Sequence, residues 1–242
     1  MRCLLRSASA CALYVFILVC AASASAQEFV GGWEGERGRG YGFLMPSYSW
    51  GVTEEGSFVL RGSGSHLYYG TPEAGGETRV RSPGAALGVA WRWRTPKASF
   101  TLGPGYEVLW TTREPAGAPT EKETEHGFTV QGDVFFQATP LTNLNLIASY
   151  GHANRYVWVR GGVKRQMTNT DFRGPVSLIL GLEGTGQGNS DLRTYQGGGL
   201  LELALPRLGG SMQFRAGYSR EQFPDDTRNS RPYFGAGFYL GF

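Results

Sequence analysis

Ten charged side chains, Arg61, Arg92, Arg94, Glu107, Asp133, Arg160, Lys164, Glu183, Glu202 and Arg215, fall on the polar side of segments in which every second residue is apolar. Mixed charges gathered on one face of a sheet can do two things. They can pair into a network that fixes an interior, because buried charges need partners and hydrogen bonds, or they can line a polar channel with opposite signs on facing walls. The three histidines are the other reactive candidates. His66 lies beside Ser63 and Ser65, but both serines have the opposite parity on an extended strand and point to the other face, so no Ser/His dyad forms. His126 and His152 sit in separate connections, which is no metal-ligand spacing, and we expect neither catalytic residues nor a metal or cofactor. Asp225, Asp226 and the run Glu121-Lys122-Glu123-Thr124-Glu125 read as solvated loops. Gly184-Thr185-Gly186-Gln187-Gly188 reads as a flexible loop: it follows a strand but opens no helix, so it cradles no phosphate.

The elements that must carry these residues are strands. Period-2 alternation recurs about twelve times, and no segment holds an apolar 3.6 period long enough for a helix. The final strand sets Phe234, Ala236, Phe238, Leu240 and Phe242 against Tyr233, Gly235, Gly237, Tyr239 and Gly241. Met212, Phe214, Ala216 and Tyr218 likewise oppose Ser211, Gln213, Arg215 and Gly217, and Leu178, Leu180 and Leu182 oppose Ser177, Ile179, Gly181 and Glu183. The first four segments, near 29–34, 41–50, 58–68 and 85–93, are weaker, and Pro46 inside the second calls for a bulge or a strand end. An apolar face alternating with one rich in Gly, Ser and charge suits a barrel whose outer solvent is hydrocarbon. In a soluble sandwich or barrel the same apolar sets would point inward and the opposite face would be well charged. The expected fold is all-β: a transmembrane antiparallel up-and-down β-barrel of about 12 strands.

Two further patterns agree with that reading. Short connections at 95–97, 139–143 and 206–210 alternate with longer polar ones, notably 111–127 and 221–231, as expected if both termini are periplasmic. In that orientation Trp91 and Trp93 lie on the lipid face at an inner strand end, while Trp110, Tyr150, Tyr195 and Tyr218 lie on it at outer strand ends. These are the positions of two aromatic girdles.

The start of the chain reads as a signal peptide over residues 1–26. Arg2 and Arg6 are followed by an apolar stretch from Cys11 to Ala21 and by Ala24-Ser25-Ala26 before Gln27. The apolar stretch is too short to span a bilayer as a helix, and Val19 before Cys20 is too bulky for a lipoprotein site. The barrel domain is then 27–242, and all three cysteines (Cys3, Cys11, Cys20) leave with the leader. Loss of Arg2 and Arg6 leaves 21 basic side chains against 20 acidic ones, which points to no nucleic-acid partner.

Several stretches carry a resemblance: Ala138-Thr139-Pro140-Leu141 leading into Ile147-Ala148-Ser149-Tyr150, then Trp158-Val159-Arg160-Gly161-Gly162, then Phe172-Arg173-Gly174-Pro175 and Leu182-Glu183-Gly184. Together they resemble the outer-membrane barrels found with bacterial cellulose synthesis genes, the cellulose biosynthesis S-type (BcsS-like) family. That resemblance implies a non-enzymatic barrel of the bacterial outer membrane, associated with export or surface organisation of an exopolysaccharide. A terminal Phe242 closing an alternating strand also resembles the signal by which the barrel assembly machinery recognises its clients. The partners then expected are outer-membrane lipid and lipopolysaccharide, that machinery and an exopolysaccharide. A small-solute porin and a lipid-modifying barrel enzyme are the competing readings.

Overall fold

The computed structural model describes residues 27–242 apart from 37, 52, 74, 75, 168–175, 190, 191 and 223–227. The expected signal peptide, the Phe172-Arg173-Gly174-Pro175 stretch, Asp225 and Asp226 lie outside the described residues. Twelve strands follow one another: β1 (Gln27–Glu36), β2 (Arg39–Trp50), β3 (Gly56–Glu73), β4 (Gly76–Arg94), β5 (Ala98–Glu114), β6 (Glu121–Thr139), β7 (Thr142–Gly151), β8 (Tyr156–Gln166), β9 (Ser177–Gly188), β10 (Arg193–Leu205), β11 (Gly210–Gln222) and β12 (Arg228–Gly241). Each pairs antiparallel with its sequence neighbours, and β1 pairs with β12, so the sheet closes. At the seam the register runs from Glu28 opposite Gly241 to Gly35 opposite Phe234. Reciprocal bonds between the Gln27 and Phe242 backbones, 3.1 and 2.9 Å, finish it.

Parity decides which side of the wall each residue occupies, and the result is an inside-out protein. Among the described residues five apolar side chains are buried, against fourteen polar or charged ones. Leu182, Phe214, Phe234 and Phe238 stand exposed on the outer face, while Thr101, Ser57, Arg92 and Arg160 are buried within. Hydrocarbon outside makes that arrangement favourable, since the apolar face needs no protein cover.

Two expectations about connections and one about Pro46 are corrected. Residues 111–127 are not a loop: β5 continues to Glu114 and β6 starts at Glu121, with Arg113 opposite Glu121 and Trp110 opposite Thr124. The acidic run is strand, its ladder satisfying the backbone polar groups while its side chains meet water on both faces. Gly184 to Gly188 is likewise strand, held between Arg193–Gly197 on one side and Val157–Gly161 on the other. Pro46 needs no bulge. It sits opposite Phe29, and the β2–β3 ladder merely skips Met45 and Pro46 without changing register, so the missing N–H costs one rung. The expected difference in connection length therefore appears in the strands instead: β3 to β6 have 17–19 residues where about 9–11 cross a bilayer, and the surplus rises beyond the end opposite the termini.

Neighbouring strands leave unequal room at glycines. A Cβ on Gly103 would lie 2.2 Å from the Val89 carbonyl oxygen and 2.4 Å from the Ala90 Cα, whereas one on Gly199 would meet nothing within 4 Å. Gly103→Val is therefore expected to cost about 2–3 kcal/mol through overpacking, lowering the temperature at which the folded band converts on a semi-native gel, while Gly199→Val leaves it unchanged.

Candidate functional site

Every charged residue singled out in the lumen-facing set points inward, and most are paired with a residue on a strand that is not their neighbour. Arg92 on β4 makes a two-pronged contact with Glu28 on β1, 2.8 and 2.7 Å, and its Nε donates to Thr101, 3.3 Å. Ser47 donates to the same Glu28, 3.2 Å. Arg61 on β3 meets Asp133 on β6 at 2.5 Å. Lys164 on β8 donates to Glu202 on β10 at 2.8 Å. Arg215 on β11 donates to Glu183 on β9 at 3.0 Å, and the Tyr233 hydroxyl donates to that carboxylate at 3.4 Å. Glu107 differs. It has no cationic partner among the described ion pairs; it accepts a bond from the Ala153 backbone N–H and leaves one carboxylate oxygen buried without a partner.

The contact with the widest reach is Arg160 on β8 with Glu34 on β1. Both are buried, and Arg160 is held in place by Thr185, 3.0 Å from its Nε, and by the Trp158 ring, 5.0 Å from its guanidinium. Going round the barrel, β8 is five strands from β1, close to diametrically opposite. A circular twelve-stranded barrel with a 4.8 Å spacing and 40° tilt would be about 24 Å across, and an arginine and a glutamate reaching toward each other cover roughly half of that. Direct contact therefore requires a flattened cross-section, with the ion pair as a rung across it. Arg39 pairs with Glu221 nearer the rim and lies over the Tyr69 ring at 5.5 Å. A cavity of about 40 Å³ remains beside Arg61, lined also by Met45, Ser63 and Gln131, enough for a water or two. Nη1 of Arg61 has no protein partner.

Glu28, Glu34, Arg39 and Glu221 were missed in the sequence reading. The inward set it named holds six cations and four carboxylates, an imbalance that asks for further acids. Glu28, Glu34 and Glu36 share one parity on β1, opposite to Phe29 and Trp33, and that spacing was the available signal.

The aromatic residues form two bands on the outer face. Toward the termini, Trp50 stacks on Phe58 (5.6 Å between ring centroids), Phe58 meets Trp91 edge-on (4.7 Å), and Trp93 stacks on Phe100 (5.3 Å). At the far end Trp110, Tyr195 and Tyr218 are exposed, and Tyr150 lies 6.0 Å from Phe128. Two histidines join this band: His126 Nδ1 shares a 2.7 Å hydrogen bond with the Tyr106 hydroxyl, and His152 stacks on Phe128 at 4.6 Å. His66 lies 6.5 Å from Tyr68. All three imidazoles thus stand among outer-face aromatics, and among the described residues no cluster of His, Cys, Asp and Glu could hold a metal ion. Phe242 is exposed at the seam, edge-on to Phe29 at 6.3 Å.

A closed antiparallel sheet with an apolar exterior, aromatic bands and a paired polar interior defines a β-barrel of the outer-membrane type. Within that class the chain belongs to the family of the cellulose biosynthesis protein BcsS, whose family profile matches residues 23–242. No curated protein matches it in sequence. Among solved structures, LpxR from Salmonella typhimurium is similar over 89% of this chain and 100% of that one, at 12% identity and a TM-score of 0.51. An outer membrane channel from Pseudomonas putida F1 is similar over 91% and 96%, also at 12% identity and a TM-score of 0.51. At such identities the likeness is one of fold.

Removing one partner of a buried pair strands the other. Arg160→Ala is expected to lower stability by about 3–5 kcal/mol, and Arg160→Met combined with Glu34→Leu to recover most of that loss, as measured by urea unfolding of the barrel in liposomes followed by tryptophan fluorescence.

Proposed function

We propose that this BcsS-family barrel is a non-enzymatic protein of the bacterial outer membrane that organises a cellulose-type exopolysaccharide at the cell surface, without passing solute or polymer through its own lumen. The observation that carries this reading is the Arg160–Glu34 rung, with ion pairs on both sides of it, in a chain of a cellulose-biosynthesis family. An open pore needs a continuous aqueous path, and charges paired across a flattened section stand in that path, which supports a closed lumen. The two aromatic bands support a bilayer position, with both termini on the periplasmic side and the tall β3–β6 hairpins outside. The engagement of His126 and His152 with Tyr106 and Phe128 supports a girdle role for them rather than acid–base catalysis. The exposed terminal Phe242 supports its reading as the assembly signal.

Two measurements test the proposal. A deletion strain is expected to show reduced or disordered extracellular cellulose; an unchanged amount and organisation would remove the polysaccharide role. In planar bilayers the wild-type barrel is expected to give no steady conductance, and Arg160→Ala with Glu34→Ala to introduce one. Steady wild-type channels would instead favour a porin.

A further inference from the structure

The rim opposite the termini carries cations on its outer face. Arg193 on β10, Arg220 on β11 and Arg228 on β12 are all exposed and all share the outward parity of Tyr195 and Tyr218. Their register makes them one group. Arg193 and Arg228 both lie opposite Gln222, and Arg220 lies opposite Tyr195 and Ser230, so each of the other two arginines is a diagonal neighbour of Arg220, about 7–8 Å away. Directly below stand Tyr195 and Tyr218, 53% and 71% exposed. The described residues offer no carboxylate on that patch, because Glu221 has the opposite parity and is taken by Arg39 inside. None of the three arginines makes a described ion pair. Arg79, Arg81 and Lys122 continue the positive rim on β4 and β6, but there Glu114 lies opposite Arg79.

Three guanidiniums that meet no carboxylate among the described residues, within a side chain's reach of one another and just above interfacial tyrosines, match a phosphate-bearing lipid head group. The tyrosines fix the height of the bilayer interface, guanidinium binds phosphate through paired N–H donors, and the acyl chains would lie along the apolar face beneath. We propose that Arg193, Arg220 and Arg228 form a binding site for a phosphorylated glycolipid of the outer leaflet. The proposal rests on the outer-membrane placement given above.

The test titrates the folded barrel, in zwitterionic detergent, with bis-phosphorylated lipid A, dephosphorylated lipid A and inorganic phosphate. The phosphorylated lipid is expected to bind at least tenfold tighter than the dephosphorylated one. The triple change Arg193→Gln, Arg220→Gln, Arg228→Gln should remove at least tenfold of that affinity. The matching triple at the other end, Lys97→Gln, Arg165→Gln, Arg207→Gln, should stay within twofold of wild type. Equal losses in both triples, or wild-type affinity in the first, would overturn the site, and displacement of the lipid by millimolar phosphate would reduce it to a bare anion site. If the first triple fails to fold, Arg220→Gln alone should weaken binding at least threefold, and wild-type affinity in that variant would overturn the site. Placement is checked separately with Ala118→Cys, there being no cysteine in 27–242. Labelling by a membrane-impermeant maleimide on intact cells together with absent lipid binding would sink this site alone, whereas no labelling would sink the placement and the lipid source with it.

Discussion

A backbone N–H or C=O left unpaired in hydrocarbon costs several kcal/mol, and no water is there to relieve it. Closure follows from that constraint, and most of the architecture follows from closure. The β1–β12 seam joins the two ends of the described chain, with Gln27 and Phe242 exchanging backbone bonds. Once the sheet is a cylinder, each residue has only two destinations. Parity then sends Phe214 and Leu182 to the outside and Arg215 and Glu183 to the inside.

The interior that results is polar, and it is held by charge where a soluble protein would use an apolar core. Each inward guanidinium or ammonium in the described ion pairs meets a carboxylate, and the paired atoms come from strands that are not neighbours. Such pairs add little net stability beyond what they recover from desolvation. Their larger effect is on shape, since the Arg160–Glu34 contact is compatible only with a flattened lumen. That geometry joins the fold to the proposed role, in which the rim and outer face present surfaces and the lumen does not conduct.

The alternation that sends side chains in or out was legible strand by strand from β5 onward, because large apolar residues alternate there with Gly, Ser and charge. It was weak in β1, where Gly31 and Gly35 replace apolar residues on the outer face, and so Glu28 and Glu34, which complete the network, went unread. Distance along the chain hid them further: Glu34 and Arg160 are 126 residues apart, and nothing local couples them. The acidic run at 121–125 was misread as loop because polarity on both faces removes the apolar cue. Above the membrane, a strand needs no apolar face, and the alternation of Glu121, Glu123 and Glu125 with Lys122 and Thr124 is the period-2 signal that remains. The Gly184–Gly188 stretch failed for a different reason. Its glycines suggest flexibility in isolation, while pairing on both sides fixes them.

Adjacent residues of one strand meet opposite environments, lipid without and a polar lumen within. Spin labels placed one at a time on residues 177–183 of β9, in lipid bilayers, measure this directly through collision with oxygen. Labels at Leu178, Leu180 and Leu182 should collide readily and those at Ser177, Ile179, Gly181 and Glu183 should be shielded, giving a period of two. A flat profile, or one with the high values on the odd residues, would mean that parity does not divide lipid from lumen in this barrel.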